Sequence, residues 1–504
     1  MKLHLPDLKN IWKKHKFLLG IFILVVLLRV PLLFEPFTYA DEGIYLTLGQ
    51  AVRKGLVLYR DIHDNKPPLL YLIAALTGSF PIYRLIHFLW SFATIFAFYK
   101  LSQLIFFKNQ KAVISSTSIF AILTSLHTFE GNIANAENFM MLPTIAGFYL
   151  ILKFLGPKEV PQKIPSFWFL GGGLFALAVL FKVPAVFDFA AAFILCLLLI
   201  KKGSLKKTLI NFLSLLIGFS TPILISIGYF ALKNALWPYL QAAFFQNLPY
   251  LSSWGNQAKK ISALPFGLMG RGVGLALIIF LLFIFRQKIS LALKIIILWF
   301  SASLFAALLS SRPYPHYLLQ ILPAFSLSFG LLTLPKTKIW FKSLPIIFIF
   351  ILTWAFLSLH FWYYPNLPYL KNFYQFAFRL KSHQEYLNYF DKQASSLYQT
   401  ASFLKSHSSS QEKIFIWGTK PSIYALSHRL PIGRYTVAYH IIDFQGFNET
   451  MENLKQAPPR WLVTAQDEKA AFPQLQNFIE DNYVPFQQVG NLEIFYLLPK
   501  ISRL

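Results

Sequence analysis

Apolar runs of membrane-spanning length recur along this chain, at about 17–34, 82–107, 112–130, 138–155, 166–183, 184–200, 208–232, 264–285, 289–310, 316–334 and 342–363. A helix rises about 1.5 Å per residue, so roughly 17 to 25 apolar residues cross a hydrocarbon core. A polytopic α-helical membrane protein with about eleven spans is therefore expected. Composition agrees: 56% of residues are hydrophobic and only 13% charged, against about 25% charged in an average soluble domain. The formal net charge of +26 raises the question of nucleic acid. Its basic residues are scattered among apolar runs rather than gathered in a patch, so no nucleic-acid partner is expected. Basic cytoplasmic loops facing anionic lipid account for the charge instead. The single cysteine, Cys196, excludes an internal disulfide.

Charge on short loops predicts orientation. Lys9, Lys13, Lys14 and Lys16 precede the first run and place the N-terminus in the cytoplasm. Alternating from there, every inside loop is basic: Lys108 and Lys111; Lys153, Lys158 and Lys163; Lys201, Lys202, Lys206 and Lys207; Arg286 and Lys288; Lys336 and Lys338. The run "LLYLIAALTGSF" (Leu69–Phe80) is too short to cross, and counting it would put the later basic loops outside. It is read as an interfacial segment on the outer side. The odd count exports residues 365–504, leaving 1–364 as a membrane domain with a first outer loop at 35–81. In the exported part, "KIFIWG", "RWLVTA" and "LEIFYLL" read as strands alternating with helix-like pieces such as "PSIYALSHR" and "FPQLQNFIED". A small α/β domain follows on the outer face.

The first outer loop concentrates scarce acids: Asp41, Glu42, Asp61 and Asp64. Asp41 reads as a helix N-cap, with Ile44, Leu48, Ala51 and Val52 forming an apolar stripe and Gly55 a stop. Such a helix would lie flat on the bilayer with its first-turn carboxylates at the centre of the protein. Capping alone does not explain a second acidic cluster about twenty residues later. Asp41 is therefore the candidate catalytic acid or base. Glu42, turned about 100° away on a helix, is a weaker candidate for binding. "DIHDNKPP" adds His63, Asp64 and Lys66. The acid–X–His–acid spacing could hold a divalent cation through His63 and Asp64. Lys66 is a point charge suited to phosphate, and Pro67–Pro68 stiffens the chain after it.

Two further outer loops are polar. "HTFEGNIANAENFMMLP" carries Glu130, Asn132, Asn135, Glu137 and Asn138, the last two where the chain re-enters lipid. "SSRPYPHYLLQILP" carries Arg312, His316, Tyr317 and Gln320, with His316 and Gln320 on one face of a helix opened by Pro315. Lys182 and Asp188 flank Pro184 as an ion pair or as ligands. All these groups fall on one side of the membrane, which suits a lipid-linked phosphate carrying a transferable group.

The stretches "DEGIYLTLGQAVRKGLVLYRDIHDNKPPLLY", "NIANAENFMMLP", "RPYPHYLLQILP" and "IFIWGTKPSIYALSHRLPIGRY" resemble bacterial members of the protein O-mannosyltransferase and aminoarabinose-transferase group. These are GT-C glycosyltransferases that use polyprenyl-phosphate sugars. The resemblance implies a catalytic acid at Asp41, a second acidic position at Glu137 and a phosphate contact at Lys66. The aminoarabinose branch has a metal-binding Glu before that lysine, where this chain has Asn65; His63 and Asp64 would have to substitute. The implied activity is an inverting transfer of one sugar from a polyprenyl phosphate to a hydroxyl of a protein, lipid or glycan acceptor, in the plasma or inner membrane. Asp41 would be the general base. Lys66, with Arg312, His316, Tyr317, Glu42 and Asp64, would serve the donor, and a divalent metal stays open. A transporter or flippase of a lipid-linked or anionic substrate is the rival; it would show inverted repeats and ionisable groups at the bilayer midplane.

Overall fold

The computed structural model describes residues 8–107, 109–155, 164–199, 205–246, 267–310, 312–335 and 338–499. The inside-loop residues Lys108, Lys158, Lys163, Lys201, Lys202 and Lys336 lie outside them. Within the described residues each expected apolar run falls largely on helix, among them Leu8–Arg29, Phe80–Ile105, Ala136–Leu155, Leu205–Leu232 and Leu344–Ser358. Among the described residues five stretches are long and apolar enough to cross a bilayer: Lys16–Leu33, Phe80–Ile105, Thr208–Leu232, Pro315–Thr333 and Ile339–Ser358. Others, including Gln110–Leu123, Val183–Leu198 and Leu291–Ala307, are apolar but shorter.

The chain divides into two compact units. The first comprises Met1–Leu33, His87–Ile225 and Leu248–Leu370. Its interior is aromatic: Phe300 stacks on Phe348 at 3.6 Å, Phe189 on Phe219 at 3.9 Å, and Trp299 lies 4.0 Å from Phe148. Gly218 lets the helix Leu205–Leu232 touch the helix Ile164–Phe181, since a Cβ there would strike the carbonyl of Phe169. Close backbone approach through small residues is how helices associate when lipid offers no hydrophobic drive between them. On the helix Leu344–Ser358, Ile346 and Phe350 are 67% and 73% exposed, an apolar surface of the kind a spanning helix turns to lipid.

The second unit comprises Phe34–Ile86, Ser226–Asn247 and Lys371–Leu504. It holds one four-stranded sheet of β1 (Phe415–Trp417), β2 (Trp461–Ala465), β3 (Tyr483–Val489) and β4 (Leu492–Leu497), in the order β1-β2-β4-β3. The β1–β2 pair is parallel; β4 runs antiparallel to both β2 and β3. Alternate strand residues feed two cores. Ile414, Ile416, Val463 and Ile494 pack with Leu397, Leu404 and Tyr424, whereas Phe415, Trp417 and Leu462 pack with Leu454, Leu475 and Ile479. Helices thus cover both faces, as expected of an α/β layer. The sequence reading missed β3. Its central residues are exposed and it contains Pro485, which edge strands tolerate because a missing N–H faces outward.

In the first loop, Leu69–Thr77 is a nine-residue helix closed by Gly78 in the left-handed conformation, φ 69°. It is too short to span, as its length in the sequence requires. The helix Ala40–Arg53 forms where expected, but two details differ. Its N-cap is Tyr39, with no side-chain cap, so Asp41 lies inside the first turn and does not cap. Nor does the helix present one stripe: Glu42 through Ala51 are all buried, because neighbouring segments enclose it.

Candidate active site

Within the second unit, the helix Ala40–Arg53 is seated against the helix Ser422–Ser427. A Cβ on Gly43 would lie 2.6 Å from the Ser422 backbone nitrogen. Gln50 Nε2 donates to the Ala425 carbonyl at 2.8 Å, and Thr47 Oγ1 reaches the Pro421 carbonyl at 3.3 Å. The C-terminal segment therefore sets the position of the first-loop helix. Gly43→Ala should lower the melting temperature of the purified protein: overpacking costs about 1–3 kcal/mol, against a gain of about 1 kcal/mol in helix propensity. A raised melting temperature, the helix-propensity gain appearing alone, would show that the two helices part freely there.

The first turn aims Asp41 at Lys66. Lys66 Nζ lies 3.4 Å from Asp41 Oδ2 and 4.0 Å from Asp64 Oδ2. The Tyr45 hydroxyl, one helical turn on, donates to Asp41 Oδ2 at 2.8 Å, and Lys66 sits 5.0 Å above the Tyr45 ring. The lysine backbone is also fixed. Its N–H donates to the Tyr71 hydroxyl at 3.1 Å, and its carbonyl accepts from the Tyr59 hydroxyl at 2.8 Å. Burial, followed by the nearby carboxylates, pushes the Tyr45 and Tyr71 hydroxyls well above their usual range, so both remain protonated donors. The side chains of Asp41 and Lys66 are 26% and 24% exposed, and a ligand can reach both.

The other expected residues of this loop are enclosed. Glu42 is fully buried, accepting from Arg84 Nη2 at 2.6 Å and Nε at 3.0 Å. Arg84 also donates to the Glu35 and Pro36 carbonyls, so Glu42 is committed to an ion pair that ties the loop entrance. Asp64 accepts from the Tyr71 hydroxyl at 2.7 Å and from the Asn65 N–H at 2.8 Å. His63 is buried beside Phe444, Tyr435 and His440. Burial, then His440 and Arg434, hold its imidazole well below the usual range and hence neutral. Among the described residues no group of three or more His, Cys, Asp or Glu side chains is placed to hold a metal.

The first unit holds a separate buried cluster. His316 Nδ1 lies 2.6 Å from Glu130 Oε2, and its Nε2 lies 3.6 Å from Glu137 Oε1. Glu137 also pairs with Lys182, whose ammonium sits 3.8 Å over the Tyr317 ring. Glu130 adopts a left-handed backbone, φ 53°, a conformation that non-glycine residues hold only when their surroundings demand it. Two expectations are corrected here. Lys182 and Asp188 do not pair: Asp188 accepts from Trp299 Nε1 and Gln320 Nε2, both at 2.7 Å. Nor do His316 and Gln320 share a target, because Pro315–Ile321 is a 3-10 helix, where residues four apart diverge by about 120°. Arg312 adjoins this cluster in sequence, its N–H reaching Ser310 Oγ at 3.4 Å.

Two participants escaped the sequence reading. Tyr45, four residues after Asp41 on one helix, carried a usable signal. His440 carried none, since its partner Asp64 is remote in sequence; Glu130 was noted with its loop, but not its pairing with His316.

No protein-family model matches the sequence, and no curated protein does either. The fold has solved counterparts. ArnT from Cupriavidus metallidurans, an aminoarabinose transferase, superposes in its undecaprenyl-phosphate-bound form with a TM-score of 0.54 at 11% identity, over 96% of this chain and 99% of that one. Its apo form gives 0.51 at 12% identity, over 95% and 97%. The chain has the GT-C fold. Its five stretches long and apolar enough to cross a bilayer support a multi-pass membrane protein. The oligosaccharyltransferase AglB from Archaeoglobus fulgidus, in complex with an inhibitory peptide and a dolichol-phosphate, aligns at a TM-score of 0.46 and 13% identity, over 98% of this chain and 75% of that one.

Proposed function

We propose that this protein is an inverting glycosyltransferase that moves a sugar from a polyprenyl phosphate to an acceptor hydroxyl. The observation that carries the reading is the partly exposed Asp41–Lys66 pair at 3.4 Å, in a chain with the GT-C fold. Asp41 takes the acceptor proton as that oxygen attacks the anomeric carbon. The bond from the anomeric carbon to the phosphate oxygen breaks on the opposite side, and Lys66 stabilises the departing lipid phosphate. General-base catalysis contributes about 10²–10⁴-fold, and charge stabilisation of a leaving group is often larger still.

Asp41 and Lys66 neutralise each other when no donor is bound. The donor phosphodiester carries one negative charge, as a carboxylate does, and competes with Asp41 for the ammonium. Removing a cation from beside a carboxylate raises its basicity, so donor binding also readies Asp41 for the acceptor. Glu137, held by Lys182 and His316, is assigned the second acidic position, where it orients hydroxyls of the sugar or acceptor. Arg312 and Tyr317 are assigned to the donor. About eleven spans in the plasma or inner membrane, a cytoplasmic N-terminus and an outer-face domain at 365–504 complete the proposal, supported by the basic inside loops.

The test is transfer of labelled sugar from a polyprenyl-phosphate donor by the purified protein. Lys66→Ala should weaken donor binding about tenfold or more, since a hydrogen bond to a charged group contributes about 1.5–3 kcal/mol. Lys66→Arg should retain part of it, the guanidinium fork fitting a point-charge site imperfectly. Wild-type transfer by both variants would reduce Lys66 to a surface anchor.

A further inference from the structure

The C-terminal segment sends one ionisable side chain to the back of the Asp41–Lys66 pair. His440, on the short helix Ala438–Asp443, is 2% exposed, and its Nε2 lies 3.4 Å from Asp64 Oδ1. A carboxylate oxygen only accepts, so in the Nε2–H tautomer the neutral ring turns its N–H edge towards Asp64. Burial lowers the His440 imidazole to about 4, overcoming the opposing pull of Asp64. The ring therefore supplies a dipole and no second positive charge. Asp64 in turn has no exposed surface of its own: Tyr71, Asn65 and His440 surround it, and its Oδ2 faces Lys66 Nζ at 4.0 Å. Asp64 thus lies behind Lys66, on the side away from the one offered to a ligand, with its oxygens directed by these neighbours.

We propose that His440 is a positioning residue for Lys66, acting through Asp64, so that the C-terminal domain completes the donor-phosphate site. The inference rests on the transferase reading and adds a role for the C-terminal domain to it. When Lys66 leaves Asp41 for a phosphate, Asp64 is the carboxylate that stays beside its ammonium. His440 keeps that anion oriented. Loss of the His440 donor should therefore weaken binding of the phosphate group and leave use of the acceptor untouched.

The probe is a polyprenyl phosphate without sugar, titrated against the full-length detergent-solubilised protein by tryptophan fluorescence. His440→Phe preserves ring packing against Tyr439 and Phe444 but removes the N–H; His440→Gln keeps a donor at similar reach. The expected result is a dissociation constant raised about fivefold or more in His440→Phe and largely restored in His440→Gln, with equal melting temperatures and an unchanged KM for acceptor. Equal affinity in wild type and His440→Phe overturns the inference alone. A parallel loss of affinity and melting temperature in both variants assigns His440 to folding and also overturns it. Failure of the wild type to bind polyprenyl phosphate overturns the transferase reading, and this inference with it.

Discussion

Asp41→Asn should abolish most turnover while leaving the protein folded and the donor bound. Asn differs from Asp by one oxygen-for-nitrogen exchange, and the Tyr45 hydroxyl that donates to Asp41 at 2.8 Å still finds an acceptor on the amide oxygen. Helix initiation is not at risk, because Asp41 provides no cap. What disappears is the proton acceptor, and with it about 10²-fold or more of the rate. Donor affinity should hold or rise, since Lys66, 3.4 Å from the lost charge, no longer has a carboxylate competing with phosphate. Single-turnover transfer from a labelled donor, run beside a donor-binding titration, separates the two effects. Full turnover by Asp41→Asn would remove the base from this site and pass the role to Glu137.

The neighbouring acid should behave in the opposite way. Glu42→Gln should destabilise the protein strongly, because Arg84 is 2% exposed and would lose its directly bonded carboxylate, keeping only the weaker field of Glu35. Removing one partner of a buried ion pair costs about 3–5 kcal/mol. Activity per folded molecule should fall far less than in Asp41→Asn, since a fully buried carboxylate bonded to Arg84 at 2.6 Å does not meet substrate. Thermal unfolding in detergent gives the first quantity, and transfer normalised to folded protein the second. The double variant Glu42→Leu/Arg84→Met should recover part of the stability, as buried pairs replaced together by apolar residues often do. Its recovery is incomplete because Arg84 also donates to the Glu35 and Pro36 carbonyls. A melting temperature for Glu42→Gln equal to wild type would show that water reaches the pair.

Adjacent acids on one helix thus end in different chemistry. Their separation of about 100° around the axis was legible beforehand, and the folded chain leaves Asp41 partly exposed while burying Glu42. The destination of each was not. Arg84 follows a non-spanning segment that could have turned either way, and only the packed loop brings its guanidinium to Glu42.

What the sequence by itself determined is whatever depends on length and period along the chain. The apolar runs became helices because their length and composition admit no other way to satisfy a backbone in lipid. Leu69–Thr77 became a short helix because nine residues cannot span. Three strands were visible as apolar, β-rich runs, while β3 was hidden by its exposed edge position and Pro485. Asp41, Lys66 and Glu137 stood out as charges beside or within apolar sequence, where solvation makes a charge costly. The tertiary structure decided the partners. Asp41 meets Lys66 across a turn, Glu130 meets His316 and Asp64 meets His440, pairings that lie far apart in sequence and leave no local period. A hydrogen bond or ion pair acts over about 3–4 Å whatever the length of chain between its ends. Only the folded backbone determines which groups come that close.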